Sequence, residues 1–242
     1  MDRTAIAEKN PQAIHMFRKG IVVGFPIMLG YLPIAVTYGV LARQTGMSLV
    51  ELTLMSGMVY AGASQFMAVN MIAAGTGAME IIIATFVLNF RHFVMSLSFM
   101  NNLRKIALKW KLPLSIWLTD ESFAVASFHP KEAEKKHGAF FYLGIFLIAY
   151  FSWFTGSLIG GVLGDIIPSN LSQSMGIALY AMFIGLLIPS VKKNLKVGLI
   201  ALLAMLINFC CIELGMSSGW AIVTGTIVGG MSGIHLLKEE VE

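Results

Sequence analysis

Apolar runs of about 20 residues recur along most of this 242-residue chain, and polar side chains gather between them. A bilayer core about 30 Å thick takes roughly 20 apolar residues to cross as a helix. The pattern predicts elements over Ile21–Leu41, Leu49–Ala73, Met79–Phe99, a short Leu112–Phe128, Ala139–Leu163, Leu171–Pro189, Val197–Leu214 and Gly219–Leu236. Lipid cannot satisfy open backbone groups, so such spans are helical. The expected fold is all-α, a polytopic membrane helical bundle of six to eight spans.

Two of these runs are irregular. "VYAGASQF" (Val59–Phe66) has four small residues in a row, Gly62 among them. They weaken a helix and let backbone approach a neighbour or a ligand. A full crossing by Leu49–Ala73 would put the basic loop Arg104–Lys111 opposite the basic N-terminus, against the cytoplasmic bias of such cations. A broken or re-entrant helix near residues 59–66 removes the conflict. Leu112–Phe128 has Pro113 at its start and Asp120-Glu121 midway, and whether it crosses is open.

An internal repeat is visible. "GVLARQTGMSL" (Gly39–Leu49) matches "GVLGDIIPSNL" (Gly161–Leu171), Tyr60-Ala61 matches Tyr180-Ala181, and "VLNF" (Val87–Phe90) matches "LINF" (Leu206–Phe209). The offset stays between 119 and 122 residues (39 to 161, 60 to 180, 87 to 206). Two three-helix repeats, about 21–100 and 139–214, would hold a substrate where they meet. They would form one transmembrane transporter domain, 21–237, flanked by a cytoplasmic segment 1–20 and a short tail, 238–242. Small residues also recur every fourth position at Ser152, Gly156, Gly160, Gly164 and at Ala221, Gly225, Gly229, Gly233. Each series makes a groove for another backbone, within this chain or on a second subunit.

Composition agrees with a membrane setting. Charged residues make up 12%, about half the usual 25% or so, and mean hydropathy is +0.77. Between Gly138 and Val191 the only charge is Asp165, placed before Pro168 like a helix cap. The net charge of +4 is no nucleic-acid footprint, because its cations flank apolar runs: Arg18-Lys19, Arg104-Lys105, Lys109, Lys111, Lys135-Lys136, Lys192-Lys193 and Lys196. Cys210 and Cys211 are adjacent in an apolar run and read as packing or lipid-facing residues. No cleavable signal peptide is in view.

Candidate chemistry concentrates in "IIIATFVLNFRHFVMSLSFM" (Ile81–Met100). At about 100° per residue, Thr85, Asn89, His92 and Ser96 share a stripe about 60° wide, and Arg91 lies off it. An arginine at mid-bilayer costs from about 3 to over 10 kcal/mol, so Arg91 must end the helix at an interface, pair with an acid or line a wet cavity. Asp120 and Glu121 are the obvious partners. His92 could relay a proton or bond across helices. Gln65 and Ser64 add donors and acceptors beside the break. Free N–H groups at a helix start favour a carboxylate and unwound carbonyls an ammonium, so a zwitterionic amino acid fits. Met58, Phe66, Met67 or Phe93 could line its apolar pocket.

"GFPIMLGYLPIAVTYGVLA" (Gly24–Ala42), "VYAGASQF", "LNFRHFVMS" (Leu88–Ser96) and "TDESFA" (Thr119–Ala124), in this order, resemble the AzlC family, the large subunit of branched-chain amino acid exporters. The resemblance covers most of the chain, though the C-terminal third shares mainly hydropathy. It implies a multi-pass permease of the bacterial cytoplasmic membrane, exporting valine, leucine, isoleucine or analogues on the proton gradient; the flanking cations, by the positive-inside bias, predict a cytoplasmic N-terminus. It also implies a small hydrophobic AzlD-type partner subunit. The motif positions are Tyr31, Pro33, Ala61, Gly62, Ala63, Ser64, Gln65, Asn89, Arg91, His92, Asp120 and Glu121. By their chemistry, Tyr31, Ala61–Gln65, Asn89 and His92 are expected to bind substrate. Arg91, Asp120 and Glu121 are expected to form ion pairs or couple protons.

Neither cofactor nor metal nor catalytic residue is expected. A metalloprotease would need HExxH, a spacing the five histidines never take. An aspartyl mechanism would need two embedded aspartates, and only Asp120 and Asp165 offer themselves. A passive channel or a scaffold subunit is the remaining rival.

Overall fold

The computed structural model describes residues 11–103 and 106–237. Among these it is all-α: α1 (Pro11–Gln44), α2 (Leu49–Met58), α3 (Gly62–Ala73), α4 (Ala78–Asn102), α5 (Leu108–Ile116), α6 (Asp120–Ser127), α7 (Gly138–Leu163), α8 (Ser169–Lys193), α9 (Leu195–Glu213) and α10 (Ser218–Leu237). Helices α1, α4, α7 and α9 are long and apolar enough to cross a membrane. With 25 and 20 residues, α8 and α10 also reach about 30 Å or more at 1.5 Å per residue. The chain is a multi-pass membrane protein. The Arg104-Lys105 cluster and the tail 238–242 lie outside the described residues.

Helices α1 and α7 form the frame. Residue numbers rise together along their contact, with Gly20 against Phe141 and Gly144 and Gly39 against Ser157 and Gly160, so the two run parallel. Their backbones touch. A Cβ on Gly39 would stand 2.1 Å from the Ser157 carbonyl oxygen, and one on Gly160 2.1 Å from that of Val36. The groove from Ser152 to Gly164 is thus filled by α1, and the Gly225–Gly233 groove by Ala204, Asn208 and Ile200 of α9. Neither groove is left for a second subunit. Helix α1 already runs from Pro11, where the described residues begin, ahead of the expected Ile21. This extension docks by Lys19 Nζ to Glu132 Oε1 at 2.8 Å, an oxygen Lys135 also reaches at 2.6 Å.

The second apolar run is re-entrant. Ser48 and Glu51 form a reciprocal cap that starts α2 beside Gly161, and Gly57 accepts from Tyr150 Oη at 2.9 Å. Helix α2 therefore descends antiparallel to α7. It stops at Met58, and Tyr60 turns with φ +43°. Helix α3 then climbs back, with Tyr38 wedged between the legs: its hydroxyl donates to Leu52 O at 3.4 Å and its ring meets Phe66. Only Ala74–Gly77 separate α3 from α4. Helix α4 runs the other way, from Glu80 beside Gly219 to Phe99 against Tyr142 and Phe146.

The open question about Leu112–Phe128 resolves the same way, from the opposite face. Trp110 packs on Phe140 near the start of α7, α5 rises to Ile116, and Thr119 lies at the level of Tyr31. Helix α6 returns, ending where Tyr142 Oη donates to His129 O at 2.8 Å. So α1–α2–α3 and α4–α5–α6 share one design, a long helix plus a re-entrant pair, in inverted directions. The proposed halves 21–100 and 139–214 share only the direction of α1 and α7. Helix α8 is continuous where α2–α3 is broken, and α9 runs opposite to α4.

One face gathers Arg18, Lys19, Lys109, Lys111, Lys131, Lys135, Lys136, Lys192, Lys193 and Lys196. On the other, Arg43 is the one described cation. Asp165 holds it through three contacts of 2.9–3.1 Å, so Asp165 is an ion-pair partner rather than a cap.

Gly39→Val should lower the thermal midpoint of the detergent-purified protein, at an overpacking cost on the order of 3 kcal/mol. Gly30→Ala, which meets open space, should leave it unchanged. Burial pushes the Glu132 carboxyl up, but the hydrogen bonds from Lys135 and Lys19 prevail and hold it below the usual range. A depressed folded value stabilises above the unfolded one and is lost as pH falls. Glu132→Gln should therefore destabilise at neutral pH and flatten the loss of thermal stability on acidification below pH 4.5.

Candidate functional site

The tips of the two hairpins meet at mid-height around a cavity of about 30 Å³, room for roughly two waters. Helix α1 supplies Tyr31 and α7 supplies Trp153; one tip brings Tyr60, Ala61, Gly62 and Ala63, the other Thr119, Asp120 and Glu121. Arg91 and His92 close it from α4. Breaks here are local necessities. A Cβ on Gly62 would stand 2.6 Å from the Trp153 ring, and the start of α3 has no side-chain cap. Its first N–H groups have no intrahelical acceptor. The other tip is capped, Ser122 Oγ accepting from Thr119 N at 2.9 Å.

Arg91 Nη1 stands 2.9 Å from Asp120 Oδ2, while its Nε is buried with no partner. Tyr31 Oη donates to Glu121 Oε2 and lies 2.7 Å from Thr119 Oγ1. Tyr60 stacks edge-on against Tyr150, ring centroids 4.9 Å apart, and its buried hydroxyl is unpartnered.

The helical wheel separated Arg91 from His92, yet both line this cavity, because the long arginine stem carries its guanidinium back toward α6. The polar stripe on α4 is instead largely a seam. Ser64 of α3 donates to Asn89, Ser96 donates to Ser115 O of α5 at 3.3 Å, and Thr85 bonds its own helix. Of the expected substrate-binding set, Tyr31, Ala61, Gly62, Ala63 and His92 reach the cavity. Ser64, Gln65 and Asn89 do not.

Gln65 is a buried cross-tie. It accepts from Trp153 Nε1 at 2.9 Å and donates to Ser56 Oγ at 2.9 Å, and Ser56 donates onward to Ser157 Oγ at 2.8 Å. Three wall residues escaped the sequence reading: Tyr60, Thr119 and Trp153. Tyr60 adjoins the small-residue run, which could have marked it; Trp153 sits in an unbroken apolar window with no such signal. The expected apolar lining differs as well. Met58 is 82% and Phe93 57% exposed, and Phe66 packs on Tyr38. Met67 lines a separate, mostly apolar cavity of about 380 Å³ that shares Ala63 with the charged one.

The family model for the AzlC protein matches residues 26–167. The chain belongs to the AzlC family. The matched interval takes in both hairpins and ends just past α7, in keeping with a C-terminal third that resembles the family mainly in hydropathy. A membrane protein of Archaeoglobus fulgidus, described as uncharacterized, is 33% identical over 219 residues, covering 85% of this chain and 95% of that protein. Similarity extends to the branched-chain amino acid transport protein AzlC of Bacillus subtilis, 28% identical over 188 residues (78% and 73% of the two chains). It extends also to the inner membrane protein YgaZ of Escherichia coli, 28% identical over 182 residues (74% of each). No solved structure matches the chain.

Trp153→Phe should leave Gln65 Oε1 buried without a donor, at a cost of about 1–3 kcal/mol. The thermal midpoint in detergent should fall, and the double variant Trp153→Phe/Gln65→Leu should recover part of the loss.

Proposed function

We propose that this AzlC-family member is a transporter subunit of the bacterial cytoplasmic membrane, exporting valine, leucine, isoleucine or close analogues on the proton gradient. It works with a small hydrophobic AzlD-type subunit, and residues 21–237 act as one transporter domain. The observation that carries this reading is the convergence of two opposed re-entrant hairpins on one charged, half-membrane-deep cavity. Broken helices around a midplane site are a transporter arrangement. The name of the Bacillus subtilis relative, a branched-chain amino acid transport protein, supports the substrate class.

The basic face is the cytoplasmic one by the positive-inside rule, which puts the N-terminus inside. An amino acid's carboxylate suits the uncapped start of α3 and the free Nε of Arg91; its ammonium suits Asp120 and Glu121. The cavity of about 30 Å³ is too small for leucine, so the tips part to admit it. The neighbouring apolar cavity, behind Ala63, offers room for the side chain.

In cells loaded with leucine or valine, efflux should require this chain and rise when the adjacent small membrane protein is supplied. An uncoupler should abolish export against a gradient, which a passive channel would not support in the first place. Arg91→Ala and Asp120→Asn should each abolish efflux at unchanged protein level in the membrane. Normal efflux by both would remove the site.

A further inference from the structure

We infer that the Glu121 carboxylate holds either a proton or the substrate's ammonium group, never both, and that this exclusion ties amino acid exit to proton entry. The inference rests on the transport reading above and deepens it. The two adjacent acids are not equivalent. Asp120 is engaged by Arg91 at 2.9 Å, whereas Glu121 has no cation in salt-bridge range among the described residues. Glu121 accepts the Tyr31 hydroxyl proton, and a carboxylate has acceptor capacity beyond one such bond.

A second observation points to a missing occupant. Tyr60 is only 6% exposed, lines the same cavity, and its hydroxyl has no partner. A phenol oxygen accepts equally from an ammonium N–H and from the O–H of a protonated carboxyl. Either occupant of Glu121 would satisfy it. The groups facing Glu121 are Tyr31 from α1, Tyr60 from the first tip with Tyr150 of α7 behind it, Arg91 and His92 from α4, and Asp120 on its own helix. Arg91 is the one fixed cation in this set, and Asp120 has already claimed it.

The cycle balances. Facing the cytoplasm, the arriving ammonium takes the place of the proton on Glu121; the O–H bond breaks and the proton goes to water. Facing outward, the amino acid leaves and a proton from water forms the O–H bond again. One proton enters per amino acid exported. The empty, ionised site leaves a carboxylate uncompensated at mid-membrane, which is disfavoured, so neither partner crosses without the other.

The test is leucine binding to the full-length protein in weak buffer, followed with a pH indicator and by calorimetry across the pH range in which it stays folded. Leucine should displace about one proton per molecule bound on the acid limb, and its apparent Kd should rise about tenfold for each unit the pH falls there. 4-Methylpentanoate, which lacks the amino group, should release none. Glu121→Asp should keep the pH dependence; Glu121→Gln should bind leucine weakly and independently of pH. Wild-type leucine binding without proton release at any pH overturns the inference, and needs no variant. A Glu121→Gln protein with wild-type pH dependence overturns it too. If the wild type binds no leucine, valine or isoleucine at all, the transport reading itself fails and this inference goes with it.

Discussion

A helix that stops inside a bilayer leaves backbone N–H and C=O groups with no water to satisfy them. Among the described residues there are two such stops, after Met58 and after Ile116, and the rest of the architecture is arranged around them. Met58 and Ile116 themselves are exposed, but the turns that follow them, Tyr60-Ala61 and Leu118-Thr119, are buried. The frame must bring backbones into contact to leave room for two inserted hairpins, which is why glycine recurs on both of its helices. The tips face each other across a small polar cavity, where free backbone groups and charged side chains share whatever water is present.

The Arg91–Asp120 pair belongs to the same constraint. An unpaired guanidinium at this depth would be costly, and an adjacent carboxylate on an opposed element lowers that cost while joining α4 to the second tip. Tyr31–Glu121 makes the equivalent link from α1. The second tip is therefore fastened to two long helices by side-chain contacts that also form the wall of the cavity. Opening the cavity means breaking or carrying along those contacts, so structure and proposed mechanism draw on one set of residues.

Much of this was legible in the sequence. Hydropathy located the long helices within a few residues, the early turns of α1 excepted, and the small-residue run Ala61–Ser64 marked the first break. The conflict between Arg104–Lys111 and the basic N-terminus already favoured a re-entrant path. The second break was harder to see, because Leu118-Thr119-Asp120 carries no glycine and its cap depends on Thr119 and Ser122 being brought into place. Periodicity along α4 misjudged Arg91, since a wheel fixes where a Cβ points and not where a long stem ends. Gln65 illustrates the reverse: a polar residue beside a break looked like a ligand contact, yet tertiary packing spends it on Trp153 and Ser56. The offset near 120 residues joins helices that, beyond α1 and α7, do not run in matching directions.

Nine-residue α5 and eight-residue α6 are each only about 12–14 Å long, less than half the hydrocarbon thickness. Neither is long enough to be integrated as an independent segment during biogenesis. Because the pair enters and leaves on one side, Lys109, Lys111 and Lys131 are never dragged across the bilayer as the protein is made. The hairpin is instead held by its contacts with α1, α4 and α7, so the charged centre of the molecule exists only where those helices are packed together.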